Sequence, residues 1–441
     1  MTLTTPPRAA APQLPAFVTG EELHELVQRL YPICRSITGS GVRLTLGILG
    51  EYLPGLQVSA VPSGVPALDW TVPPEWNIRD AYLKNAAGER VVDFQAHNLH
   101  VMGYSVPVQG WLTREELEPH LHSLPDQPDL IPYRTSYYAE DWGFCLTHFQ
   151  RLALTEPGYE VCIDSTLAPG ELNYGELLLA GETSAEVLIS THICHPSLAN
   201  DNLSGVAVAV FLARHLLQVP HHYSYRFVFA PGTIGALVWL SRNGEAVGRI
   251  RHGLVLTLLG SAGPFTYKQS RRGTADVDRA AALALRAAAV AHEIRPFVPY
   301  GYDERQYCSP GFDLPVGCLS RTPYGEFPEY HTSADNLDFV QPATLLDSLL
   351  MTQAVVEVLE ANRRYRNLHP YGEPQLGRRG LYKHVGGGSD GAAWQLALLW
   401  VLNLSDGQHS LLDIAERSGL PFEQLCRAAA LLVTYDLLAP D

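Results

Sequence analysis

Residues 190–205 read STHICHPSLANDNLSG, a dense polar run set between EVLIS and the apolar stretch VAVAVFLARHLL. The first flank has the short, apolar character of a buried strand and the second that of a buried helix. A polar loop between them lies at the carboxyl end of a strand, where open α/β sheets place their ligands. Within the loop His192 and His195 offer imidazole nitrogens, and Asp201 follows His192 by nine residues, beside Asn200 and Asn202. Histidine with carboxylate suits zinc and related divalent ions. The same residues also fit a plainer reading: hydrogen-bonded loop histidines, and an aspartate that caps the helical segment beginning at Leu203.

Further along, SRTPYGEFPEYHTSADNLDFV, residues 320–340, follows the apolar run LPVGCL. It gathers Glu326, Glu329, His331, Asp335 and Asp338 into thirteen positions. Carboxylate-rich loops are commonly solvated surfaces. Here the acids alternate with Tyr324, Phe327, Tyr330 and Phe339, which points to a walled pocket.

Outward from these loops, GELLLAG, YRFVFAP and GLVLTLL alternate with helical stretches from Tyr174 onward. Short apolar runs between helices indicate buried, largely parallel strands, so the fold class is an α/β sandwich. On the N-terminal side, Leu23, Val27 and Leu30, then Leu44, Ile48 and Leu49, predict two amphipathic helices separated at Gly39-Ser40-Gly41. From Pro66 to Thr155 the texture changes to short alternating runs broken by proline and glycine, as expected of an inserted β-rich lobe. It contains one short helix, Thr113 to His122, with Thr113 and Glu116 forming a capping box. The α/β domain is thus discontinuous, 16–65 and 156–370. Residues 371–441, beyond a joint at Gly387-Gly388, show the periodicity of a winged-helix-like unit. Its presumptive recognition helix, Phe422 to Leu432, carries Arg427 as its one basic residue, so a structural or dimerising role is expected and nucleic acid is not.

The bulk numbers agree. At 441 residues the chain calls for two or three domains. With 46% hydrophobic and 17% charged residues its composition is that of a folded protein. A net charge of -15 opposes attraction to nucleic acid or anionic membranes. Seven cysteines without a CxxC pair argue for reduced thiols and against a cysteine-only metal site. The first fifteen residues read as a loose tail too polar and proline-rich for a signal peptide, which suggests a cytoplasmic protein.

HICHPSLANDNLSG, SPGFDLPVG and PEYHTSADNLD together resemble the zinc aminopeptidases and glutaminyl cyclases. The resemblance is closer to a bacterial aminopeptidase-like group with an inserted domain of unknown function and a C-terminal winged helix, and it runs from about Phe17 to Leu438. It implies that His192 is the first metal histidine, Asp201 the metal-bridging aspartate and His331 the last metal histidine. Asp303, in GYDERQYCSPG, matches a family aspartate on the substrate side. Two departures stand out. The adjacent glutamates that follow the strand equivalent to YRFVFA are replaced by Pro231-Gly232-Thr233, and no carboxylate stands at Thr257 or Gly260-Ser261-Ala262. One divalent ion, zinc by family, is therefore expected rather than two. With the usual base absent, Glu304 and Glu329 are the candidates. Tyr267, Arg271 and Arg272, with Arg305, are candidates to bind a substrate carboxylate or phosphate; rim salt bridges are the plain alternative. The implied activity is a metal-dependent amidohydrolase or aminopeptidase acting on a small-molecule or short peptide-like substrate, in a chain that could self-associate. The alternative is a binding or scaffolding protein that keeps the fold without the chemistry.

Overall fold

The run EVLISTH becomes the strand Glu186–His192, all seven residues buried. In the computed structural model, which describes residues 18–381 and 389–441, this strand lies inside an eight-stranded sheet. The expected N-terminal tail and the Gly387-Gly388 joint lie outside the described residues. In chain order the strands of this sheet are Gln57–Pro62 (β1), Glu171–Leu179 (β2), Glu186–His192 (β3), Ser224–Ala230 (β4), Ile250–Leu256 (β5), Phe265–Lys268 (β6), His292–Arg295 (β7) and Val316–Ser320 (β8). Their spatial order is β1-β2-β4-β3-β5-β8-β6-β7. Four of them, β4, β3, β5 and β8, form a parallel centre. β1 and β2 are added antiparallel on one side and β6 on the other. From β3 the chain moves to β4 on one flank and then to β5 on the opposite flank. The crevice at the end of β3 is therefore a topological switch point, and His192 is the last residue of that strand.

Helices Gly20–Leu30 (α1), Ser40–Tyr52 (α2) and Gly205–Leu216 (α3) form where expected, except that Leu44, read as part of the apolar face of α2, is exposed, and Val42 and Leu46 join Ile48 and Leu49 on the buried side. Thr19 opens α1 with a capping box to Glu22. α3 is apolar almost all round and buries every residue except Arg214, as a core helix must. Gly205 lets it start hard against the sheet, because a Cβ there would lie 2.5 Å from the Leu256 carbonyl oxygen.

The inserted lobe has its own four-stranded antiparallel sheet, in the order Arg90–Asp93, Glu75–Lys84, Gly158–Ala168, Val108–Thr113. Its core is built from residues such as Leu83, Val92, Phe144, Tyr159 and Val161. The expected boundary at Thr155 falls short, since the strand Gly158–Ala168 pairs along the whole of Glu75–Lys84. The short helix is Arg114–Leu117, capped by Thr113 and Glu116, and gives way to a 3-10 turn at Glu118–His120 that contains Pro119.

A smaller unit comprises chiefly Gln353–Asp441. Three strands, Arg364–Asn367, Asp406–Ser410 and Leu438–Pro440, accompany the helices Ser389–Leu404, Leu411–Ser418 and Phe422–Thr434. Its first strand precedes the expected start at residue 371, which corrects that boundary. Ser410 and Asp413 cap the second of its helices, and Gly419 ends it at φ 70°. One helix, Pro342–Ala361, is long and apolar enough to cross a membrane by length and composition, and half of that window is buried inside the fold.

Candidate metal centre

Asp201 is the hub. Its carboxylate is fully buried, with Oδ1 2.8 Å from His192 Nε2 and Oδ2 3.0 Å from His331 Nε2. His195 Nδ1 stands 3.4 Å from Oδ1 and 3.1 Å from the Asp201 carbonyl oxygen. Burial acts to raise the Asp201 carboxyl, but the charge of His195 and the hydrogen bonds of all three imidazoles outweigh it and hold the group well below the usual range. Ligand atoms of His192, His195 and Asp201 lie within 4.8 Å of one another, which fits a divalent ion that accepts nitrogen and oxygen.

The surrounding segments hold this cluster from several directions. Asn202 Nδ2 lies 2.7 Å from Thr191 Oγ1 and 3.3 Å from His192 Nδ1, while its Oδ1 accepts the Leu258 N–H. Asp335 accepts the N–H groups of Asn200 at 2.5 Å and Asp201 at 2.9 Å. Its burial pushes the carboxyl up to about 8, although those donors favour the ionised form. The buried Arg35 reaches the His195 carbonyl oxygen at 3.0 Å. The lobe closes the far side: Pro132 bridges antiparallel to Thr332, and the Tyr133 N–H donates to the His331 carbonyl at 2.8 Å. The Ser333 N–H in turn donates to the Ile131 carbonyl at 2.8 Å. His331 adopts φ 54°, a backbone that costs a non-glycine residue roughly 1–2 kcal/mol. The lobe's backbone bonds stabilise it there. Tyr133 also sets its ring edge against His195 and His331, with centroids 5.1 and 5.0 Å away.

The fold brings together His192, Asp201 and His331 as expected, and adds His195. Asp303 is buried, and its Oδ1 accepts the Thr233 N–H at 2.7 Å. Burial raises its carboxyl, and the neighbouring His192 opposes the rise. Arg305 Nη2 donates to Thr233 Oγ1 at 3.3 Å. Tyr324 packs edge-on against Tyr302, which stacks on the His192 ring at 5.1 Å. Glu329 is half-buried, with no side-chain hydrogen bond among the described residues.

Three expectations need correction. Tyr267 is a core residue, fully buried with its hydroxyl on Asp278 at 3.0 Å, because it sits inside β6 rather than in a loop. Arg271 and Arg272 are rim residues paired with Asp313. Glu304 is fully buried and ion-paired with Lys268, which also donates to the Tyr300 carbonyl at 2.8 Å. That pair pins the loop carrying Tyr302 and Asp303 and commits the Glu304 carboxylate to Lys268, in a cavity lined also by Tyr302 and Tyr324.

His195 was visible as an imidazole within the loop motif but had no assigned role. Tyr133 left no signal, and Asp335 was visible in the second cluster but its clamp was not, because both depend on contacts more than a hundred residues away. At Gly232 a Cβ would lie 3.6 Å from the His192 Cβ and 3.4 Å from Cys194 Sγ, so the missing glutamate would have faced the cluster. The Thr257 hydroxyl is buried without a hydrogen-bond partner among the described residues.

Residues 24–362 match the model described as a domain of unknown function, DUF4910. The chain belongs to the DUF4910 family. Its residues 363–440 match a winged helix-turn-helix model, in agreement with the three helices and three strands of the smaller unit. A Clostridium acetobutylicum relative of this DUF4910 protein, provisionally named a polysaccharide biosynthesis protein with an aminopeptidase-like domain, is 50% identical over 95% of this chain and 96% of its own. A crystal structure from the same organism, provisionally named a peptidase, is 47% identical, covers 96% of both chains and superposes with a TM-score of 0.90. A zinc aminopeptidase from Bacillus subtilis shares the fold at TM-score 0.56 and 13% identity, over 78% of this chain and 95% of its own.

Proposed function

We propose that the protein is a divalent-metal-dependent hydrolase that cleaves the amide bond of a small aminoacyl or acyl-amide compound. The observation that carries this reading is the buried Asp201 carboxylate held between His192 and His331 at 2.8 and 3.0 Å, with His195 at 3.4 Å. One zinc-type ion per chain would be held by His192, Asp201 and His331 together with His195. Such an ion polarises a carbonyl and makes water acidic enough to ionise near neutral pH. The chain's own residues supply the rest. Tyr302, Tyr324 and Tyr330 wall the amide from bulk water, and the lobe limits the cleft to small substrates. Glu329, two residues before His331 and without a side-chain hydrogen bond among the described residues, takes the proton of the attacking water and returns it to the leaving amine. Asp303 orients the Thr233 backbone, beside Gly232, where the family resemblance leads one to expect a carboxylate. The name of the Clostridium relative supports a biosynthetic setting in polysaccharide assembly.

The test combines metal content with turnover. Elemental analysis of the zinc-incubated protein should give about one ion per chain, and a panel of N-acyl and aminoacyl amides should contain a substrate. Asp201→Asn should abolish both. Glu329→Gln should keep the metal and lose roughly 10²- to 10⁴-fold in turnover. A protein that binds no metal, or loads metal and turns over nothing in the panel, refutes the hydrolase reading. The second reading is then a binding protein on the same fold, favoured by the absence of carboxylates at Gly232 and Thr257.

A further inference from the structure

Beside His331 a cleft of about 450 Å³ runs between the lobe segment 121–134 and the loop 330–332. Its lining includes His122, Arg134, Arg151, Tyr330 and His331, and among the described residues no Asp or Glu lines it. In a chain of net charge -15 a cleft with basic but no acidic lining is out of character. Arg151 is partly committed, donating to the Leu121 carbonyl at 3.0 Å and pairing with Glu118 outside the cleft. Arg134 differs. It is exposed, and its one side-chain hydrogen bond among the described residues runs from Nη1 to His122 Nδ1 at 3.5 Å. Burial, and then Arg134 itself, lower the His122 pKa, so the imidazole is neutral and can accept from the guanidinium. His122 thereby orients a cation that has no ion-pair partner among the described residues. Arg134 also follows Tyr133, whose N–H is fixed to the His331 carbonyl, and its own carbonyl accepts the Gly103 N–H at 2.9 Å. The guanidinium is thus held on the same short backbone bridge that places a metal histidine.

We propose that this cleft binds an oxyanion of the substrate, a carboxylate or a phosphate, and that Arg134 is the residue that selects for it. The inference rests on the hydrolase reading only in taking the amide to lie at His331. A planar guanidinium suits both oxyanions, because its donors can meet two oxygens at once. Arg151, on the same wall, is already compensated by Glu118, which leaves Arg134 as the selecting charge.

Isothermal titration of the zinc-loaded full-length protein tests this with three probes: N-acetylglycine, its neutral counterpart N-acetylglycinamide, and inorganic phosphate. N-acetylglycine or phosphate should bind at least about tenfold more tightly than the amide, the difference expected of one charge-assisted contact. The preference should weaken as salt rises. Whichever anion binds better identifies the carboxylate or the phosphate as the group recognised. Arg134→Gln should remove the preference at unchanged metal content, Arg134→Lys should restore part of it, and Arg272→Gln, on the rim, should leave it intact. Equal affinity for N-acetylglycinamide and both anions overturns the proposal. So does anion binding that survives Arg134→Gln, which would put the anion on the metal cluster. Hydrolysis is scored separately. An enzyme that hydrolyses amides without anion preference refutes the cleft assignment alone, whereas Arg134-dependent anion binding without any hydrolysis refutes the hydrolase reading alone.

Discussion

Asp335 shows how much of the centre is built by residues that touch no ligand. Its two oxygens accept the N–H groups of Asn200 and Asp201, so the backbone on which the central carboxylate hangs is tied to the His331 loop. Asp335→Asn keeps the volume but turns an NH₂ toward one of those donors. Leaving one buried N–H unpaired costs about 1–3 kcal/mol, and the loss should appear as a lower urea midpoint together with zinc affinity weakened by roughly 10- to 100-fold. Unchanged zinc affinity at reduced stability would mean that the clamp serves the fold and not the site. Gly232 invites the opposite experiment. A Cβ there has ordinary contact distances to Cys194 and His192, so Gly232→Glu starts a carboxylate-bearing side chain next to the His192 side chain. The zinc-loaded variant should gain hydrolysis of aminoacyl anilides, toward the roughly 10²- to 10⁴-fold that a general base contributes. Absence of any gain with metal retained would show that the cleft has diverged beyond the loss of one side chain.

Between elements, the joint from α2 to the lobe depends on a bidentate pair. Arg43 Nη2 and Nη1 meet the two oxygens of Glu75 at 2.7 and 3.0 Å, at the first residue of the strand Glu75–Lys84. The hydrogen bond from Arg43 is the main reason that the Glu75 carboxyl falls to about 2. A carboxyl depressed by folding contributes stability above its unfolded value, roughly 4.3, and that contribution drains away as pH falls from there toward 2. With solvent screening of the half-exposed Arg43 it amounts to roughly 1–2 kcal/mol. Glu75→Gln should therefore lower the urea midpoint at pH 7, and the gap to the parent should close between pH 4.5 and 2.5. A gap that is constant with pH would mean that packing, not charge, makes the joint. Much of this level was legible beforehand. Apolar spacing located α1, α2, α3 and the three helices of the smaller unit, because that signal is local; the cap read at Asp201 did not form, since α3 starts only at Gly205. The lobe boundary was missed because GYEVCIDSTLA, Gly158–Ala168, alternates in burial and could pair on either side of Thr155. Glu304 and Tyr267 were misplaced for a related reason: a polar residue near a motif gives no hint of the Lys268 or Asp278 that buries it.

At the scale of the molecule, a metal that binds the folded centre and not the unfolded chain stabilises by mass action. At a free zinc concentration 100 times its Kd the gain is about 2.7 kcal/mol. Thermal unfolding should shift upward with zinc and downward with a chelator, and Asp201→Asn should respond to neither. A parent chain whose melting ignores both would remove the metal from the account. His192, Asp201 and His331 were recoverable from motif order because each sits at the end of a strand or in the loop after one, where the sheet's topology converges. The lobe's share was not recoverable, since it rests on pairing between segments that nothing local connects. That pairing has a consequence during synthesis. Ile131 and Ser333 are 202 residues apart in the chain. At about 5–20 residues per second, the ribosome needs roughly 10–40 s to make the strand segment's partner. Throughout that interval water serves the donors and acceptors of the 131–133 backbone, so this wall of the centre closes only after the loop at Ser333 has been made.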